Sequence, residues 1–480
     1  MPERTLFDAT AHLQALESKR IGAVELLDAA VARYQALNPK INAVTVTDLE
    51  RARTRAAAID ELRTKDVPLG PLAGLPMTIK DSLDVEGMPA SSGLEALLKR
   101  PASDAAAVAK ARQAGAVIWG KTNLPVMTGD WQSYNALYGT TNNPWDLSRG
   151  PGGSSGGAAA ALATGITTLE IGSDIGGSLR VPASFCGVYA HKPTHGLVSQ
   201  RGHVPPPPGI IAEGDLNVVG PMARSVRDLR LLLSVIADGP FAAKAPPAEL
   251  KGLKVGVWAQ EDDFPLDPEC GAAIATLAAA LGERGAEVRP IKPTETGPLM
   301  EAYTVLLLSL IGRGQPAKTQ RSMQRLRGLV QLMRRVGLGD PSWAAQVMAS
   351  TATHGEWLEA NEARIRIGER MKTVFEQVDV IIAPATPVCA FAHDHGPFNR
   401  RTLLLSDGTR IAYRSMLNWI ALATACGLPA TAIPIGPLAN GLPFGVQIIG
   451  PRGGDSKTLA VAEALENAFG GFVAPPMLSA

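Results

Sequence analysis

The chain is short of cysteine, of net charge and of long apolar runs, and each shortage excludes something. Four cysteines in 480 residues (Cys186, Cys270, Cys389 and Cys426) lie far apart, with no C-x-x-C spacing. That excludes a disulfide framework and a cysteine-rich zinc site, and it fits reduced thiols in a cytoplasmic protein. Lys and Arg number 46 against 45 Asp and Glu, so no global field draws nucleic acid or an anionic membrane. No stretch reaches the roughly 18 uninterrupted apolar residues of a spanning helix. Met1 to Asp8 contain no apolar h-region, so no secretory signal is expected. What is abundant is apolar residues, at 46%, and 49 glycines, enough for a sizeable core with many tight turns.

Helical periodicity dominates residues 1–66: Ala11 to Glu17, Ala23 to Leu37 and Asp48 to Lys65 form an expected N-terminal helical layer. From Pro71 to about Ser225, short apolar runs alternate with Gly-rich turns and Ala-rich helices. Met77 to Ile79, Val117 to Trp119 and Thr168 to Ile171 read as buried strands, and Ala105 to Ala114 and Ser155 to Ala163 as helices. This alternation predicts an α/β fold with a mixed, largely parallel twisted sheet covered by helices on both faces. Further strands are expected at Leu253 to Trp258, Val380 to Ile382 and Gly445 to Ile449. Helices are expected at Gly271 to Gly285 and after an Asp455 N-cap. No internal repeat or low-complexity linker divides the chain, which reads as one domain, residues 1–480.

A helical excursion runs from about Pro298 to Arg370. It carries Arg313, Lys318, Arg321, Arg325, Arg327, Arg334 and Arg335 with no acidic residue between them. Such a run reads first as a solvated helix face. The interleaved Met323, Leu326, Leu329, Val330, Leu332 and Met333 make the excursion a candidate lid over a site. The Pro205 to Pro208 run reads as a stiff surface loop at a pocket rim.

Chemistry concentrates in two Gly-Gly settings, Gly152-Gly153-Ser154-Ser155-Gly156-Gly157 and Asp174-Ile175-Gly176-Gly177-Ser178-Leu179-Arg180. Clustered glycine costs backbone entropy and marks sharp turns or close approach. A serine hydroxyl is a weak nucleophile until a base takes its proton. None of the seven histidines falls within these motifs. Lys80, after the apolar run Leu75 to Ile79, supplies a base if burial keeps it neutral. Ser154 then relays a proton between Lys80 and Ser178. The N–H groups of Ile175, Gly176, Gly177 and Ser178 converge on a developing oxyanion, where losing one donor costs about 3 to 4 kcal/mol. The expected reaction class is acyl transfer to water.

In these motifs the chain resembles the amidase signature family. The resemblance extends to Ile79-Lys80-Asp81, Gly120-Lys121-Thr122-Asn123, Asn143-Pro144-Trp145, His191-Lys192-Pro193-Thr194, Gly220 to Ser225 and Gly441 to Gly450. It covers most of the chain outside residues 298–370. It implies an α/β/α sandwich in which Lys80 is the base, Ser154 the bridging cis-serine and Ser178 the nucleophile. Ile175 to Ser178 become the oxyanion hole, and Ser155, Asp174 and Arg180 its support. Thr128 and Gly129 correspond to a substrate-facing segment. No metal or cofactor is expected, and the expected partner is a small-molecule amide, ester or carbamate (urethane). A monomer or homodimer, with neither nucleic acid nor membrane, is the expected state. The alternative within the family is the glutaminase-type subunit of a tRNA-dependent amidotransferase, which would need partner chains. Gly150-Pro151, Ser173, His191 and His195 depart from the family's usual residues.

Three decoys are set aside. Gly115 to Thr122 satisfies the P-loop pattern, but its middle residues read as a strand and Pro125 follows where a helix should grow. His191 and His195 would make a Ser-His hydrolase, against the simpler reading that they hydrogen-bond locally. Cys186 reads as a buried, inert thiol.

Overall fold

The central strands are buried on both of their faces. Tyr189 and Ala190 pack into different apolar clusters, as do Ala432 and Ile433, Ile381 and Ile382, and Ile448 and Ile449. Successive strand side chains point to opposite faces, so these pairs mark two buried surfaces. The computed structural model describes residues 8–100, 102–314, 317–336 and 341–478. Among the described residues eleven strands form one sheet. From edge to edge they are Val44–Thr47, Val117–Thr122, Pro76–Lys80, Leu169–Asp174, Val218–Ala223, Tyr189–Lys192, Ala430–Pro437, Pro443–Ile449, Val380–Pro384, Lys254–Val257 and Glu287–Pro290.

The sheet is mixed, as the alternation predicts, but it is not largely parallel. Four of its ten neighbouring pairings are parallel and six antiparallel. The parallel pairings flank Pro76–Lys80 and Lys254–Val257. Between those two units the strands at 189–192, 218–223, 430–437 and 443–449 run antiparallel to their neighbours. Sequence reading names neither Tyr189–Lys192 nor Val218–Ala223, whose short runs contain His, Lys, Gly and Pro.

The N-terminal layer is helical at Ala9–Glu17, Ala23–Ile41 and Leu49–Thr64. It also contributes the edge strand Val44–Thr47, antiparallel to Val117–Thr122. The expected helices at 105–114, 155–163 and 271–285 appear as Ala106–Gln113, Gly156–Ala163 and Pro268–Glu283. Asp455 is the first residue of the last helix rather than its cap. Its carboxylate crosses to Thr194 instead, accepting from the backbone N–H at 2.7 Å.

The excursion comprises helices Thr296–Arg313, Ala317–Arg335, Pro341–Ser350 and His354–Gln377. The apolar residues expected as a lid wall sit elsewhere. Val330 is buried against Ala344 and Val347, while Leu326, Leu329 and Leu332 are exposed. Arg327 caps the neighbouring helix, donating to the carbonyls of Met348 and Thr351 at 3.0 and 2.8 Å and pairing with Glu356. Lys318, Arg321 and Arg325 are exposed, as a solvated face requires; the side chains of Arg313, Arg334 and Arg335 lie outside the described residues. Among the described residues no helix is long and apolar enough to cross a membrane.

Candidate active site

Two parallel strands, Pro76–Lys80 and Leu169–Asp174, end side by side, and the expected base and its surroundings lie at those carboxyl ends. Open α/β sheets expose functional groups there because loops, not the next strand, follow. Lys80 is fully buried, with Nζ 2.7 Å from Ser154 Oγ and 3.0 Å from Ser173 Oγ. Burial pushes its ammonium down to about 7, against the opposing fields of Asp174 and Glu170. Burial also pushes the Glu170 carboxyl up to about 8, with Thr78 donating to it. Desolvation therefore favours the neutral form of both groups near neutral pH.

The first Gly-Gly loop brings Ser154 to this amine. The Gly153–Ser154 peptide is cis. A Cβ on Gly153 would come within 2.5 Å of the Asp130 carbonyl oxygen, so only glycine fits there. Ser155 fastens the two serine loops together. Its N–H donates to the Ser178 carbonyl at 3.2 Å, and Gly156–Ala163 begins directly after it.

In the second loop Asp174 acts as a hub. It accepts from the Gly177 and Leu179 N–H groups at 2.9 and 3.1 Å. Arg180 grips it through Nε and Nη2, at 3.0 and 2.9 Å, and both side chains are buried. Arg180 reaches on to the Ile420 carbonyl, Thr424 and Gln447, which completes its donor set. The Arg180 guanidinium holds the Asp174 carboxyl below the usual carboxylate range despite its burial. Gly177 takes φ +88°, a left-handed conformation that favours glycine. Its N–H is committed to Asp174, so the expected oxyanion donors that remain are the N–H groups of Ile175, Gly176 and Ser178.

Two contacts that sequence reading missed hold this loop from outside. Trp131 Nε1 donates to the Gly176 carbonyl and Tyr303 Oη to that of Ile175, both at 2.7 Å. Fixing those carbonyls fixes the peptide planes whose N–H groups point the other way. Trp131 follows the substrate-facing segment Thr128-Gly129 by two residues, while Tyr303 lies near no recognisable motif.

Ser178, Ile175, Gly176, Thr128 and Gly129 all line one cavity of about 660 Å³. The rest of its wall is mostly apolar, with Phe264, Phe398, Met300, Leu307 and Ile311 prominent. Thr128 sits at its rim with φ +58°, an outlier for a β-branched residue. The excursion's share of the apolar wall thus comes mainly from its first helix, Thr296–Arg313, and not from the basic helix that follows.

The decoys resolve locally. Lys121 donates to the carbonyls of Asp81, Leu83 and Pro89 and pairs with the Asp81 carboxylate, so no phosphate cradle exists at Gly115 to Thr122. His191 bonds Thr431 and Asp455, and His195 the Gly214 carbonyl. Burial pushes the Cys186 thiol up, and its Sγ faces the Pro151 carbonyl. One histidine does stand near the site. His203 Nε2 lies 2.8 Å from Ser173 Oγ. Its only sequence signal was its place two residues before the Pro205 to Pro208 run. Among the described residues no group of His, Cys, Asp and Glu is placed to hold a metal ion.

Comparison with known proteins places the chain in a family. The family model described as Amidase matches residues 25–459. The chain is 34% identical over 489 residues to a glutamyl-tRNA(Gln) amidotransferase subunit of Roseiflexus castenholzii (strain DSM 13941 / HLO8), covering 94% of each protein. It matches the solved structure of 6-aminohexanoate cyclic dimer hydrolase complexed with substrate at a TM-score of 0.78 and 29% identity, over 99% of both chains. A bacterial aryl acylamidase of the amidase signature family gives 0.80 at 25% identity, over 96% of both chains.

Proposed function

The chain belongs to the amidase family, and from that premise we propose that it cleaves a carboxylic amide C–N bond through an acyl-enzyme on Ser178. Ser178 Oγ attacks the carbonyl carbon while its proton passes to Ser154, whose own proton goes to Lys80. The oxyanion is held by the free N–H groups of the Ile175 to Ser178 loop. Collapse breaks the C–N bond, and the proton on Lys80 returns through Ser154 to the departing nitrogen. Water then adds to the acyl-enzyme by the same path, releasing the acid and restoring Ser178. The observation that carries this reading is Lys80 itself: a buried amine held near neutrality, 2.7 Å from Ser154 Oγ. A base poised near the working pH transfers protons most effectively.

The apolar cavity wall favours aryl or alkyl amides over charged amino acids, and the same machinery accepts esters and carbamates. A second reading has its own support. The curated relatives at about 34% identity are amidotransferase subunits, and this favours the glutaminase-type reading over a free-standing amidase for aryl amides or carbamates. In that reading the leaving nitrogen is ammonia from glutamine, passed on to a partner chain that binds tRNA.

Purified single chain, assayed with matched anilide, alkyl amide, carbamate, ester and glutamine substrates beside Ser178→Ala, separates the two. Turnover of synthetic amides lost in the variant supports the free-standing enzyme. Glutamine turnover alone, or activity only after other chains co-purify, supports the amidotransferase. Activity surviving in Ser178→Ala overturns both.

A further inference from the structure

Lys80 makes a second hydrogen bond that the proposed proton path leaves unused. Nζ lies 3.0 Å from Ser173 Oγ, and Ser173 Oγ lies 2.8 Å from His203 Nε2. His203 ends the chain on a backbone carbonyl, with Nδ1 2.6 Å from the oxygen of Pro205. All three side chains are buried. We propose that His203 is a positioning residue for amide cleavage: acting through Ser173, it turns the lone pair of Lys80 toward Ser154. The proposal rests on Lys80 serving as the base through Ser154.

The direction of every bond in the chain follows from its far end. A carbonyl oxygen only accepts, so Nδ1 carries the ring proton and donates to Pro205. In the neutral ring Nε2 is then bare and accepts the single proton of Ser173. Ser173 has only lone pairs left to offer Lys80, so the amine must donate to it. With one N–H committed there, the lone pair of Lys80 is left for the Ser154 proton. Without His203 the Ser173 hydroxyl is free to rotate, and its proton competes with that of Ser154 for the same lone pair.

Electrostatics keep the arrangement in one state. Burial and the charge on Lys80 push the His203 ring down to about 4, so it stays neutral while Lys80 gains and loses its proton. The titratable groups that bear on Lys80 are Asp174 and Glu170, both from the strand beside it, and burial holds Glu170 toward its neutral form. Asp174 is held by Arg180 and also feels Lys192, while Asp81, next to Lys80 in the chain, is held by Lys121. The charged group bearing on His203 is Lys80 itself.

The test is kcat and KM against pH for His203→Leu, His203→Gln, Ser173→Ala and the His203→Leu/Ser173→Ala double variant. The substrate is whichever amide the wild type turns over, with Ser178→Ala and thermal melts alongside. His203→Leu is expected to lower the plateau kcat by about 10- to 100-fold at near-constant KM, a part of the 10²–10⁴ that general base catalysis supplies. Its acidic limb is expected to move to lower pH, because a hydroxyl donating to the lone pair stabilises the free amine. His203→Gln, whose side-chain carbonyl can accept from Ser173, is expected to recover most of the loss. In the Ser173→Ala background, removing His203 should change nothing further, as coupled residues require.

A folded His203→Leu enzyme with wild-type plateau and limb overturns the proposal. So does equal loss in the Gln and Leu variants, or a loss carried wholly by KM. If His203→Leu does not fold, the Gln variant and the limb of Ser173→Ala decide: a Gln variant that behaves as wild type, with a shifted Ser173→Ala limb, supports it, and any other pairing overturns it. Ser178→Ala keeping activity would instead bring down the parent reading, so the two failures are distinguishable.

Discussion

The loop that carries Ser178 and the helices of residues 296–350 meet in one cavity and contribute to it by opposite means. On the serine side polar atoms are buried and matched in number: Asp174 accepts four hydrogen bonds, from Gly177, Leu179 and twice from Arg180. On the helical side Met300, Leu307, Leu308 and Ile311 dominate, side chains that make no directional bonds, with Thr296, Thr304 and Gln346 among them. A matched polar network admits few substitutions, because a buried group that loses its partner keeps the full desolvation penalty. An apolar wall tolerates exchange at roughly constant volume. Chemistry is therefore fixed on one side and selectivity is free to change on the other.

That contrast breaks most completely at the proposed nucleophile and base. Ser178→Ala and Lys80→Ala are each expected to lower kcat by roughly 10⁴-fold or more, since members of such a unit fail together. Single-turnover kinetics check this; a Lys80→Ala enzyme within tenfold of wild type would remove lysine from the mechanism. Next comes the hub. Arg180→Leu leaves Asp174 as an uncompensated buried charge, which typically costs about 3–5 kcal/mol of stability. Urea unfolding reads the loss, and a midpoint unchanged from wild type would mean that Asp174 is satisfied without Arg180.

The pH profile sharpens the same side. Lys80 must be neutral to accept a proton, and its ammonium is pushed down to about 7. The limb of kcat/KM should therefore rise with pH, tenfold per unit well below 7, and level off above it. A limb near 10, the ordinary range for lysine, would show that Lys80 is solvated in the working enzyme.

How much of this was legible in the sequence follows the same division. The turns that place Ser154 and Ser178 were readable because they leave a glycine signature: Gly153 has no room for a Cβ and Gly177 needs a positive φ. Lys80, at the end of a strand, was read from the apolar run before it and from the two serine motifs that needed a base. The strands at 76–80, 117–122 and 169–174 were readable in part, from the short, mostly apolar stretches 77–79, 117–119 and 168–171. Tyr189–Lys192 and Val218–Ala223 were not, since short strands containing His, Lys, Gly and Pro resemble loops. The sheet's antiparallel centre went unread with them. His203, Trp131 and Tyr303 act on the site from 30, 45 and 128 residues away along the chain. Contacts at such separation leave no periodic or local trace. The excursion misled for a further reason. Amphipathic spacing in Ala317–Arg335 is real, but spacing cannot say which partner a face will meet.

The helical side yields smaller effects, and their rank tests whether it is a wall at all. Leu307→Ala should weaken turnover of bulky apolar amides relative to small ones by about tenfold, within the 1–3 kcal/mol that pocket methylenes supply. Ser178 chemistry on the small amide should be untouched. Smaller still is the basic helix. Lys318, Arg321 and Arg325 are exposed, and replacing all three by Gln should shift stability by no more than about 0.5 kcal/mol each. Arg327 shares their sequence run but not their setting, since it ties two helices through the carbonyls of Met348 and Thr351 and through Glu356. Arg327→Ala should cost about 1–2 kcal/mol, because each freed, partly buried acceptor loses a charged donor. Melting the triple variant beside Arg327→Ala separates the two cases. A triple variant that loses as much as Arg327→Ala would mean that the exposed charges meet a partner, and the basic face would then be a surface with work of its own.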